Sequence, residues 1–176
     1  ALDTGAGAGT ITFQSTLDGT TDHTENLSLT AGTGNIDFDG IVGGTIDLGE
    51  VTIVSATNVT ADAAFNAEQI DQTAGTGLTT FTGAVQTLGT TAADGLDLNG
   101  TAFTFSNTVN TGTAGAVTIT NTGLLTLAAA ADMTLGGAFT QDGAGAVSTA
   151  GDITTTNDNI NFQGAVTLSA GPVALD

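Results

Sequence analysis

No lysine and no arginine occurs anywhere in this sequence, and its 18 acidic residues face a single histidine, His23. No carboxylate can therefore pair with a Lys or Arg side chain of its own chain; each must be solvated, hydrogen-bonded, metal-bound or protonated. The same absence disfavours nucleic acid and anionic membrane surfaces as partners, because neutralising phosphates takes basic side chains. Cysteine is also missing, which excludes a disulfide framework and Cys-ligated zinc or iron–sulfur sites. Trp and Tyr are absent and Pro occurs once, at Pro172. No apolar run reaches the roughly 18 residues of a helical membrane span, so no membrane insertion is expected. The chain opens at Ala1 without an initiator Met or a signal-peptide pattern, and reads as a mature or excised piece of a longer product.

What is present is repetitive. The stretch Ala116 to Phe139, AVTITNTGLLTLAAAADMTLGGAF, holds three apolar pairs, Val117/Ile119, Leu125/Leu127 and Met133/Leu135, each with a Thr between its members. In an extended strand that spacing puts both apolar side chains on one face and the Thr on the other. The three pairs follow one another every eight residues, enough for a short strand and a corner. Gly and Asn at the joints permit the left-handed backbone of sharp corners, and Thr, Val, Ile and Phe between them favour strand.

Similar pairs run along most of the chain, from Ile11/Phe13 to Val173/Leu175. A polar insertion, DGTTDHTEN, occupies Asp18 to Asn26, and His23 reads there as a solvated loop residue. Residues Asn58 to Gln72 look less regular and read as a loop with one helical turn. Above the short period lies a longer one. ITF at 11–13, IDF at 36–38, TTF at 79–81, FTF at 103–105, MTL at 133–135 and INF at 160–162 sit in similar contexts. If the wide gap from Phe38 to Phe81 holds two units, their mean spacing is about 25 residues, the scale of solenoid repeats. A β-sandwich built on turns at Asp39-Gly40 and Gly43-Gly44 is the competing architecture. Short strands and small corners favour one domain over 1–176: an all-β, parallel, right-handed β-solenoid of about seven three-strand coils, a rod roughly 30 Å long at the strand separation in a sheet.

TGAVQTLGT, NTGLLTLAA and DNINFQGAVTLSAG give the chain a rhythm that resembles the Gly/Thr/Ala/Asn-rich shaft of filamentous-haemagglutinin-like proteins and autotransporter passengers, which are large bacterial surface proteins. The resemblance covers most of the chain. It implies a β-helix shaft, an extracellular or cell-surface location and no catalytic residues. The sequence lacks that family's Asn-Pro secretion motifs, and its freedom from Lys and Arg is extreme for the family.

Catalysis finds little to work with. A uronate lyase needs cationic stabilisation, which only a metal could supply here, and a glycosidase needs paired carboxyl groups in a groove; the chain is expected not to be an enzyme. Asp37, Asp39, Asp94 and Asp97 offer the hard oxygen ligands that Ca²⁺ takes, although no calcium-binding repeat or EF-hand pattern is present. No cofactor is required, and Ca²⁺ is the one candidate ion. Asp18, Asp22, His23 and Glu25 form the candidate partner-binding loop, with Val59 to Thr73 a second. The expected function is a structural shaft or coat subunit whose open end coils stack on further copies of itself. The alternative is an adhesin passenger in which a shaft loop displays a receptor ligand site.

Overall fold

The computed structural model describes residues 1–89 and 95–176. Twenty strands and no helix are found among the described residues, and every strand pair is parallel. The fold is a parallel β-solenoid of about seven turns. Parallel strands cannot be joined by hairpins, and the Asp39-Gly40 and Gly43-Gly44 steps are corners of the coil.

Three faces line the coil. The first runs from Leu2–Asp3 through Leu27–Thr30, Leu48–Ser55, Phe65–Gln72, Leu96–Gly100, Val117–Asn121 and Phe139–Gln141 to Ile160–Phe162. The second runs from Ile11–Phe13 through Ile36–Phe38, Val59–Ala61, Leu78–Phe81, Ala102–Phe105, Leu125–Leu127 and Val147–Thr149 to Val166–Leu168. The third begins with bridges at Leu17 and Val42, takes the start of Phe65–Gln72, continues through Val85–Thr87, Val109–Asn110, Met133–Leu135 and Ile153–Thr155, and ends at Leu175. The two eight-residue strands, Leu48–Ser55 and Phe65–Gln72, pass from the third face onto the first without a break and so fuse those faces into one sheet. The expected coil length of about 25 residues holds where Ile11 pairs with Ile36. It shortens to 19 where Val147 pairs with Val166.

The core consists of columns that the register stacks rung on rung. Val51, Ile70, Leu96, Val117 and Phe139 form one, and Val42, Phe65, Val85, Val109, Met133 and Ile153 another; all are buried. Thr60, Thr80, Thr104 and Thr126 stack outward on the second face. Most strands thus present one apolar and one polar side, as the pairs in the sequence require.

Two expectations are corrected. Residues 58–72 hold the strands Val59–Ala61 and Phe65–Gln72, with no helical turn. Phe65, Ala67, Ile70 and Gln72 all point inward, but a corner at Glu68 and Gln69 breaks their alternation and a buried glutamine disguises it. The six matched tripeptides also do not share a column: the first four lie on the second face, whereas Met133–Leu135 lies on the third and Ile160–Phe162 on the first. All three faces need the same apolar-polar-apolar triplet, so any face can imitate another.

Polar groups close the corners. Asn35 Oδ1 accepts hydrogen bonds from Asn58 N and Nδ2, and Asn58 Oδ1 accepts one from Leu78 N, so each amide serves the coil stacked on it. Inside the corner between the first and second faces, buried Gln141 donates to Asn121 Oδ1 at 2.6 Å and to Gly143 O at 2.7 Å, and accepts from the N–H groups of Gln163 and Gly164. At Gly112 the backbone is left-handed (φ 66°), and a β-carbon would overlap the Leu88 carbonyl of the neighbouring coil. Only glycine fits both conditions.

Candidate functional site

The chemistry-bearing residues gather at the corner between the third and first faces, where the insertion 18–26 lies against the next coil's 43–50. Backbone bonds hold the two loops together: Gly19 N donates to Ile46 O, His23 N to Asp47 O and Gly49 N to Glu25 O, all at 3.0–3.1 Å. The acids of the insertion add to this. Asp18 Oδ1 accepts from Gly44 N at 2.6 Å and Thr45 N at 3.0 Å, and Asp22 Oδ1 accepts from Asp47 N at 3.2 Å. Glu25 folds back on its own loop, accepting from the Thr20 hydroxyl and from the N–H groups of Thr20 and Thr21. The Thr20 hydroxyl and the Thr21 amide hold its carboxyl down at about 2.

Of the four residues of the candidate partner-binding loop, Glu25 thus spends both carboxylate oxygens on its own loop, whereas Asp18 and Asp22 each accept through Oδ1. His23 differs from the expected solvated residue. Its backbone is left-handed (φ 57°), its side chain is only 20 % exposed, and its ring faces inward between two carboxylates. Nε2 lies 3.6 Å from Asp22 Oδ2 and 3.9 Å from Asp47 Oδ2, while Nδ1 is enclosed without a hydrogen-bond partner. Asp22, His23 and Asp47 are the one group of three His, Cys, Asp or Glu side chains, among the described residues, whose donor atoms all lie within 4.8 Å of one another. Burial pushes the Asp47 carboxyl up, the facing His23 pulls it down, and Asp22 and Asp18 add a further upward push. Reading the sequence missed Asp47. The signal was available: Asp47 stands 25 residues after Asp22, the coil length of this end of the rod.

The candidate calcium ligands lie elsewhere. Asp37 points outward on the second face between Thr12 and Thr60. Burial raises its carboxyl, and the charges of Asp39 and of Asp62 from the next coil raise it further. Asp97 pairs in register with Asp71 on the first face. Burial, then Asp97 and Glu50, push Asp71 up. Asp94 lies outside the described residues. The structure therefore brings Asp37 and Asp39 together with Asp62, and Asp97 with Asp71, both partners that sequence spacing alone did not indicate. No concave pocket is formed by the described residues, and no helix is long and apolar enough to cross a membrane. In comparisons with protein-family models, curated proteins and solved structures, none matches this chain.

Proposed function

We propose that this chain is a non-enzymatic shaft segment of an extracellular fibre, sheath or surface coat that lengthens by stacking coil upon coil. The observation that carries this reading is the state of the last rung. Val147 is buried, but its column neighbour Val166 is exposed, and Leu168 and Leu175 beside it are 57 % and 43 % exposed. These are core-facing positions whose covering coil would come from another chain or from further residues. The rung also presents unpaired strand N–H and C=O groups, and a parallel strand satisfies both kinds of requirement at once. A head-to-tail contact of this type propagates as an open filament.

Charge sets the conditions. With 18 acids and no Lys or Arg, stacking copies concentrates negative charge. Divalent cations that bridge carboxylates favour assembly, monovalent salt helps less by screening, and mild acid helps by protonation. The resemblance to filamentous-haemagglutinin-like shafts agrees with this reading on composition and rhythm.

Electron microscopy and sedimentation across neutral and mildly acid buffers, with calcium and with chelator, test it. Filaments or end-to-end oligomers are expected. Monomers under every condition, or turnover of a polysaccharide by the purified chain, overturn it. An adhesin passenger remains the second reading because the insertion 18–26 stands out from a coil that is otherwise three short strands. Removing the insertion while filaments persist and surface binding is lost favours the adhesin.

A further inference from the structure

His23 faces Asp22 and Asp47 at distances that fit no hydrogen bond. Nitrogen–oxygen hydrogen bonds span about 2.7–3.2 Å, whereas the two contacts are 3.6 and 3.9 Å. They come near the separation of ligands that share one ion, because donor atoms 2.0–2.2 Å from a tetrahedral zinc lie about 3.4 Å apart. We propose that Asp22, His23 and Asp47 bind one divalent first-row cation of the zinc class, which clips the corner of the first coil to the corner of the second.

The donor set argues for that class of ion. Calcium and magnesium take oxygen ligands, whereas one imidazole nitrogen with two carboxylate oxygens suits zinc and its first-row neighbours. Three protein ligands leave a fourth position for water. The surroundings are already organised for it. Asp22 holds its second oxygen on the Asp47 N–H, and His23 N–H is bound to Asp47 O, so the loops carrying the three ligands are fixed to each other without the ion. Outer contacts of this kind orient metal ligands.

An ion held by Nε2 and the two Oδ2 atoms places positive charge between the carboxylates. It offsets the crowding of Asp18, Asp22 and Asp47, for which the chain offers no Lys or Arg. Nδ1 is enclosed without a partner, which leaves Nε2 as the ring nitrogen that faces the carboxylates.

The whole chain, stripped of metal, is titrated with Zn²⁺ by calorimetry while the ring resonances of the sole histidine are followed by NMR. One equivalent is expected to saturate, the His23 ring signals are expected to move in step, and a large excess of Ca²⁺ should not reverse the shift. His23→Asn, which tolerates the left-handed backbone, and Asp47→Asn should each weaken binding by more than about tenfold, with Asp132→Asn unchanged. Circular dichroism establishes that the variants fold; the ring shift in the unaltered chain does not depend on them. Ring signals indifferent to zinc, no saturable uptake, variants that bind as tightly as the parent, or uptake of many equivalents that calcium displaces would each overturn the proposal. These readouts concern a single chain, so they stand apart from the outcome of the assembly experiment.

Discussion

The ring of Phe65 stands where Ala61 leaves a gap. In the second-face column Phe38, Ala61 and Phe81 are register partners, and an alanine there would interrupt the stack of rings. Phe65 enters from the third face and lies edge-on to both neighbours, 5.1 Å from Phe38 and 6.0 Å from Phe81. With Phe13 stacked on Phe38 and Phe81 on Phe105, five rings run continuously along the interior, although only four come from one column.

This arrangement makes the two positions complementary. Phe65→Ala is expected to destabilise by about 3–5 kcal/mol through lost burial and a residual cavity. Ala61→Phe alone should overpack and cost about 1–3 kcal/mol. The double variant should recover part of both losses, because the new ring at 61 fills the space left at 65. Urea unfolding midpoints of the four proteins measure the coupling, and strict additivity would show that the rings do not share one space.

Gln141 offers a different test of the interior. Its amide serves Asn121, Gly143 and the N–H groups of Gln163 and Gly164 in one buried corner. Gln141→Leu keeps much of the volume and is more apolar, yet it strands those groups. A loss of about 1–3 kcal/mol or more is expected, with faster hydrogen exchange at Gln163 and Gly164. A gain in stability would mean that water or a backbone shift satisfies the corner.

Stability should vary with pH in a definite sense. Asp37, Asp47 and Asp71 have raised carboxyls in the folded chain, with burial the first cause in each. The native state binds those protons more tightly than the unfolded state, so their contribution is fully present below the ordinary value of 3.8 and lost as pH rises through the raised values. Glu25 runs the other way: its contribution is complete above 4.5 and is lost as pH falls towards about 2. The thermal midpoint should therefore climb on acidification from neutral pH and turn down in strong acid. Asp71→Asn should raise the midpoint at neutral pH and reduce the climb. Melting curves across this range check both, and a midpoint that falls steadily from neutral pH would contradict the burial argument.

At the end rung, Leu168→Asp is expected to leave the isolated chain folded, because the side chain is largely exposed, while shortening or abolishing filaments. The same substitution at buried Leu127, one of the column positions it continues, should unfold the chain instead. Sedimentation and circular dichroism on the two variants separate docking from core packing. Equal assembly by Leu168→Asp and the parent would remove this rung from the contact.

The sequence alone determined the kind of object this is. Apolar residues two apart with Thr between them, as at Val117/Ile119 and Leu125/Leu127, dictate one dry and one wet strand face, and corners every few residues leave a coil as the way to bury the dry one. Those are local rules, set by backbone geometry and side-chain polarity, and they can be read in order along the chain. Which residues meet was decided by tertiary structure, because contact between coils depends on a coil length that varies from 27 residues to 19. A slip of a few residues changes every partner, so Asp97 finds Asp71 and Asp37 finds Asp62. Phe65 fills the space of Ala61 from a different face, and Gln141 is buried because its amide bonds lie in neighbouring coils. The His23 ring turns towards Asp47 for the same reason: the insertion at 18–26 is polar in sequence, but its inner side is covered by the next coil, and only the stacking of the two brings the three side chains together.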